Sequence, residues 1–159
     1  MKKYLVNSPE EQIVLDTSGD YTVEISQPRA SVTITGKFLT RLEEKVNINL
    51  TIVHSAPHTR AKTMLKGVAF DSSSIRFFGR IIIDENCGDT QSFLEERILL
   101  LSDKAKAEAV PELEIKTDDV KCSHAASISR IPEEHVFYLE SRGIPKKEAQ
   151  EMIVTGFLE

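Results

Sequence analysis

The hydrophobic period of this sequence changes once, near Arg130, and this change constrains the fold more than any other feature. Before it, short β-branched or aromatic runs alternate with polar residues, most clearly over residues 46–52, and no segment from Tyr4 onward has the period of an amphipathic helix. Over residues 149–157, apolar side chains recur at steps of three and four, at Ala149, Met152, Ile153 and Phe157. The sequence therefore predicts a mainly β core over residues 1–130 and a helical tail over residues 131–159.

The tail carries the start and stop signals of two short helices. Pro132 is followed by Glu133 and Glu134, a composition typical of a first helical turn, because acidic side chains complement the positive end of the helix dipole. Gly143 is a natural C-terminal stop, and Pro145 can open a second helix. We expect an antiparallel helical hairpin joined at residues 142–144.

A near-repeat in the β region bears on how its strands are arranged. Gly36 and Gly67, Ala56 and Cys87, and Thr59 and Thr90 are each separated by 31 positions (67 − 36, 87 − 56, 90 − 59). Such a recurrence between polar corners suits a β-solenoid whose coils stack about 4.8 Å apart. By itself the repeat leaves a β-sandwich open as the alternative.

Composition restricts the class of protein. The chain has 159 residues, 40% hydrophobic and 28% charged, with a formal net charge of −5. This charge and the lack of a basic block argue against nucleic acid or an anionic membrane as the main partner. No segment resembles a signal peptide or a membrane span, and the two cysteines lie apart, so we expect free thiols and a cytoplasmic protein.

Cys122 and His124 are the only neighbouring thiol and imidazole in the sequence. Two residues apart on a strand, they share a face, separated by about 6.6 Å along the backbone. Thiolate sulfur and imidazole nitrogen are ligands for iron or zinc, but two ligands do not complete a site. The alternative from the residues alone is a buried hydrophobic cysteine beside a backbone-bonded histidine.

An ordered signature around these two residues resembles a known family. The segments LEI, DDVKCSH, EEHVFYLESRGI, EA and GF follow one another over residues 113–157, and looser similarity extends back to about Ala61. This order resembles the carboxyl-terminal half of the SufB/SufD family, the scaffold subunits of the SUF iron-sulfur cluster assembly machinery. The resemblance implies a right-handed parallel β-helix, which favours the solenoid.

The resemblance also implies roles for particular residues. The histidine of SufD-like chains that matches His124 lies at the interface with SufB and helps to build the nascent, transient cluster, so His124 is the first candidate ligand and Cys122 the second. Ala125 stands where SufB-like chains carry a cluster-associated glutamate, which places this chain closer to SufD. The expected partner is a SufB-like subunit or a second copy, paired through edge strands near Cys122 to form a dimer.

A SufC-type ABC ATPase is the second partner that the resemblance implies. Candidate docking residues on the tail are Tyr138, Leu139, Ile144 and Met152, which are equally able to pack on the β body. The chain stops just after Phe157, where typical members continue through another helix, and this puts the docking in doubt. Whether a reduced flavin binds is left open. No nucleophile motif or phosphate-binding loop occurs, so we expect a non-catalytic subunit.

Two other functions use the same residues. One is a structural or adaptor solenoid that has lost the cluster, and the other is a small mononuclear metal-binding protein. Elsewhere, Cys87 in a turn is expected to be inert or mildly exposed, and His54 with His58 is a weak candidate for a loop chelate. Residues 95–97 are expected to form a solvated strand face, and His135 to lie on the surface.

Overall fold

A computed structural model describes all 159 residues and contains ten strands followed by two helices. The elements are β1 Lys2–Val6, β2 Glu11–Leu15, β3 Gly19–Ile25, β4 Ser31–Thr40, β5 Lys45–His54, β6 Arg60–Ala69, β7 Ser74–Ile83, β8 Thr90–Leu100, β9 Lys106–Ile115, β10 Val120–Arg130, α1 Glu133–Ser141 and α2 Lys146–Leu158. The predicted switch from strands to helices is confirmed, and the first helix begins at Glu133.

The strands wind into the predicted parallel β-solenoid. Odd-numbered strands form one sheet in the order β1-β3-β5-β7-β9, and even-numbered strands form the other in the order β10-β8-β6-β4-β2. Every pairing is parallel, as in a chain that contributes one strand to each sheet on every turn. The last strand of each sheet, β9 or β10, has one paired and one unpaired edge.

The length of a coil is less regular than the near-repeat suggests. Ser31 pairs with Arg60 and Arg60 with Gln91, so these coils contain 29 (60 − 31) and 31 (91 − 60) residues. Thr59 and Thr90 do stack, with their hydroxyl oxygens 3.2 Å apart. Gly36 and Gly67 do not, because Gly36 pairs with Leu65. The corners absorb the difference in length.

The core fills the space between the two sheets. Alternate residues of each central strand point inward, so β7 alternates half-buried and buried positions along its full length. Tyr21 and Phe77 are the largest fully buried side chains, and the rings of Phe38 and Phe77 lie 5.7 Å apart. At about 25 cal/mol for each Å² of apolar surface buried, this core supplies the main driving force for folding.

The helical hairpin packs on the outer face of the even-numbered sheet. Val154 of α2 contacts Val68 and Leu99, two buried residues whose side chains point away from the interior. The hairpin therefore leaves the end of the solenoid formed by β9 and β10 uncovered. No helix is long and apolar enough to cross a membrane.

The local helix signals are confirmed. Pro132 and Pro145 are the N-cap residues of α1 and α2, and Gly143 has a φ of 86°, a left-handed conformation that glycine adopts without a steric penalty. Within α2, however, the buried residues are Ala149 and Val154, while Met152 is 48% exposed. Periodicity alone placed Met152 on the apolar face and missed Val154.

Candidate functional site

Cys122 and His124 lie on β10, the last strand of the even-numbered sheet. His124 is in register with Leu94 of β8, whose side chain is buried, so both candidate ligands face the interior of the solenoid. Cys122 is partly buried against the main core, and the side chain of His124 is only 3% exposed. The expected shared face is confirmed, but it is an inner face and not an outer contact surface.

Glu96 of β8 meets this histidine inside the solenoid. Its side chain is fully buried, and its Oε2 lies 3.4 Å from Nε2 of His124. The prediction of a solvated face for residues 95–97 is therefore wrong for Glu96, although Glu95 and Arg97 are half exposed and 3.7 Å apart. The two-residue period of a strand could have predicted the burial of Glu96, because Glu96 lies between the buried residues Leu94 and Ile98 on the same face.

The thiols of the chain are unpaired and shielded. Burial raises the pKa of the Cys122 thiol, so at neutral pH it carries a proton that a metal ion would have to displace. Burial also raises the pKa of Cys87, whose Sγ donates a hydrogen bond to the carbonyl oxygen of His54 at 3.4 Å. Cys87 was expected to be either inert or mildly exposed. It is 2% exposed, which supports the first of these possibilities.

His54 and His58 do not form a chelating pair. His54 ends β5 inside the core, where Nδ1 lies 2.8 Å from the Thr59 hydroxyl and Nε2 lies 3.0 Å from the Ser92 hydroxyl. Both ring nitrogens are therefore engaged, and burial lowers the pKa of His54 to about 4. The side chain of His58 is half exposed at a corner, with Nδ1 3.0 Å from a carboxylate oxygen of Asp89, and its hydrogen bond lowers the pKa of Asp89.

The tail residues predicted to bind a partner differ in exposure. Tyr138 and Met152 are 56% and 48% exposed, whereas Leu139 and Ile144 are partly buried. Phe137, at 71% exposed, is a more accessible apolar side chain that the sequence reasoning passed over. His135 is exposed, as expected.

A crevice between the helical hairpin and the β body lies away from Cys122 and His124. It has a volume of about 870 Å³ and separates the helical hairpin from the loops around Phe70 and Leu101. Neither Cys122 nor His124 lines it, so a small molecule there would not contact the candidate ligands.

The candidate site is chemically incomplete within one chain. No group of three or more histidine, cysteine, aspartate or glutamate side chains converges on one point. The inner face near the end of the solenoid instead brings one imidazole and one carboxylate within 3.4 Å, with the Cys122 thiol on the same face of β10, and each of these groups is a known ligand type for iron or zinc. A metal ion bound here would need further ligands from outside the chain.

Comparison with known proteins gives consistent matches. Residues 16–157 match the family model described as "SUF system FeS cluster assembly, SufBD core domain". The chain is 38% identical over 118 residues to the iron-sulfur cluster assembly protein SufD of Bacillus subtilis (strain 168), covering 74% of this chain and 27% of that protein. It is 36% identical over 104 residues to SufD of Escherichia coli (strain K12), covering 65% and 25% respectively. It is 32% identical over 108 residues to SufB of Bacillus subtilis, covering 68% and 23%. The chain thus spans about a quarter of the length of these curated relatives.

Proposed function

Because the chain belongs to the SufB/SufD family of iron-sulfur cluster assembly proteins, we propose that it is a non-catalytic scaffold subunit that builds a cluster-assembly interface with a second chain. The observation that carries this proposal is the open end of the solenoid, where both sheets end in unpaired strand edges next to Cys122 and His124. The partner is a SufB-like subunit or a second copy of this chain.

The open end has the chemistry of a pairing surface. The outer edges of β9 and β10 carry backbone N–H and C=O groups that a strand of another chain can pair with. The inward columns of side chains, buried in earlier coils, end here in Leu113, Ile115 and Ile128, which are 48%, 43% and 46% exposed. A second solenoid placed end to end would bury these residues and continue both sheets.

Cys122 and His124 would be this chain's ligands for the iron of the nascent cluster, which is the cargo of the system. The low exposure of the imidazole supports cluster building inside the joint, shielded from water, over cluster building on an outer wall. Both cysteines are free, which fits work in the reducing cytoplasm. ATP hydrolysis would belong to a SufC-type ABC ATPase that docks on Tyr138, Leu139, Ile144 and Met152 of the hairpin.

Sedimentation of the purified chain, alone and with a SufB-like subunit, tests the pairing. Ile128→Glu introduces a charge at the open end and is expected to abolish association, while Val14→Glu, at a position 66% exposed on β2, is the matched control. Association of Ile128→Glu equal to that of the wild type would exclude this end as the interface.

Anaerobic reconstitution of the complex with iron and sulfide tests the chemistry. Charge-transfer absorption is expected in the wild type and in His135→Ala, which alters an exposed histidine, but not in His124→Ala. Unchanged absorption in His124→Ala would refute its role. Uptake of zinc alone would instead support the mononuclear metal protein, and association with neither metal nor ATPase would support the adaptor.

A further inference from the structure

Glu96 and His124 form a buried polar pair that the fold does not satisfy. The side chain of Glu96 is fully buried and that of His124 is 3% exposed. Neither carboxylate oxygen and neither ring nitrogen has a hydrogen-bond partner. Buried polar atoms are almost always hydrogen-bonded, because leaving them unpaired in a low-dielectric interior is costly. Four unpaired atoms at one place therefore call for a functional explanation.

The surrounding structure makes room for this pair. Gly79 of β7 faces it from the opposite sheet, and a Cβ atom at this position would lie 2.6 Å from Oε1 of Glu96 and 3.0 Å from Cε1 of His124. A side chain at position 79 would therefore occupy the space that the carboxylate and the imidazole use. The glycine leaves the two groups facing each other inside the last coils, beside the strand that ends the sheet.

The separation of the two groups fits a shared metal ion better than a direct hydrogen bond. Charge-assisted N–H···O bonds measure about 2.7–2.9 Å, shorter than the 3.4 Å between Nε2 and Oε2. Two ligand atoms bound at about 2.1 Å to one tetrahedral ion lie about 3.4 Å apart. Imidazole with carboxylate is also a ligand set that ferrous iron accepts.

We propose that Glu96 is a ligand of this chain, and that its carboxylate binds, together with Nε2 of His124, one ferrous ion destined for the cluster. The inference rests on the proposed function, because it takes iron as the cargo and His124 as a ligand. Two protein ligands hold the ion while sulfide, water or a second chain fills the remaining positions. Metal binding also accounts for the unpaired oxygens of Glu96, which the folded chain leaves without donors.

Cobalt(II), a spectroscopic substitute for ferrous iron, tests this on the full chain under anaerobic conditions. The variant Glu96→Gln keeps the size of the side chain and removes its charge. Glu95→Gln is the matched control, because Glu95 is adjacent on β8 and 44% exposed. We expect Glu96→Gln and His124→Ala to weaken cobalt affinity about tenfold or more, and Glu95→Gln to bind as the wild type does. Circular dichroism verifies that each variant is folded.

The outcomes separate this inference from the proposed function. Wild-type affinity in Glu96→Gln, with loss of binding in His124→Ala, would overturn the role of Glu96 and leave the proposed function standing. No cobalt binding by the wild-type chain would also overturn it, whereas cluster formation with a partner would still support the proposed function. X-ray absorption of the cobalt-loaded wild type requires no variant. A shell containing imidazole and carboxylate supports the proposal, and a shell of water alone refutes it.

Discussion

Replacing Gly79 by alanine is expected to destabilise the protein through steric overlap alone. The added Cβ would overlap Cδ2 of Leu94 and lie 2.6 Å from Oε1 of Glu96, closer than non-bonded atoms approach. Leu94 is 2% exposed and Glu96 is fully buried, so neither side chain can move into solvent. Overpacking of this kind costs about 1–3 kcal/mol. Alanine is preferred over glycine in a strand by about 0.5–1 kcal/mol, which leaves a net loss of up to about 2.5 kcal/mol.

Urea unfolding followed by circular dichroism measures this loss, with Gly156→Ala as the control. Gly156 lies in α2, and nothing is within 4 Å of the Cβ that an alanine would add, so this variant is expected to gain about 0.5–1 kcal/mol from helix propensity. The substitution of glycine by alanine should therefore lower the free energy of unfolding at position 79 and raise it at position 156. A Gly79→Ala variant that is stabilised as much as Gly156→Ala would refute the close packing of the Glu96 pair.

A double-mutant cycle identifies the atoms responsible for the loss. Leu94→Ala alone should cost about 2–5 kcal/mol, because it leaves a cavity in the core. In Gly79→Ala/Leu94→Ala the new methyl group enters that cavity, so the double variant should be at least about 0.5 kcal/mol more stable than the two single losses predict. Strict additivity would show that Leu94 is not the group that clashes.

Two further predictions concern buried residues away from the open end. Burial lowers the pKa of His54 from 6.5 to about 4, so the unfolded chain binds a proton that the folded chain rejects between these values. His54 stabilises the fold fully above pH 6.5, and the free energy of unfolding should lose up to about 3 kcal/mol of this contribution by pH 4. Urea titrations between pH 4 and pH 7 should show this loss in the wild type and not in His54→Gln. An equal dependence of the free energy of unfolding on pH in both proteins would contradict the prediction. Val154→Ala should cost about 1–2 kcal/mol by thermal or urea unfolding, because Val154 packs on Val68 and Leu99, while Met152→Ala, at an exposed site, should change stability by less than about 0.5 kcal/mol. Equal losses of stability in Val154→Ala and Met152→Ala would show that Val154 does not lie on the face of α2 that packs against the sheet.

Local patterns predicted much of the fold. Alternation over residues 46–52 identified the interior of β5, and the pair Pro132 and Gly143 identified the limits of α1, because strand period and helix capping depend on neighbouring residues only. The same period predicted correctly that Cys122 and His124 share a face.

Contacts between strands were not predictable in this way. Coil length varies because the corners differ. Two residues 31 positions apart therefore stack in the case of Thr59 and Thr90, but not in the case of Gly36 and Gly67. Residues 95–97 are all charged and were predicted together to form a solvated face, which is wrong for Glu96. Its burial follows from its place between Leu94 and Ile98 on the inner face of β8.

The sequence by itself determined the strand-rich body, the helical hairpin and the side-by-side placement of a thiol and an imidazole, since each follows from spacing along a single strand or helix. The solenoid was favoured over a sandwich only through the resemblance to the SufB/SufD family. Only the tertiary structure decided that the hairpin lies on the outer face of a sheet, that β9 and β10 keep an open edge, and that Glu96 meets His124 across neighbouring strands. These features depend on register and on how the coils close, which are set by the corners and the packing of the whole core.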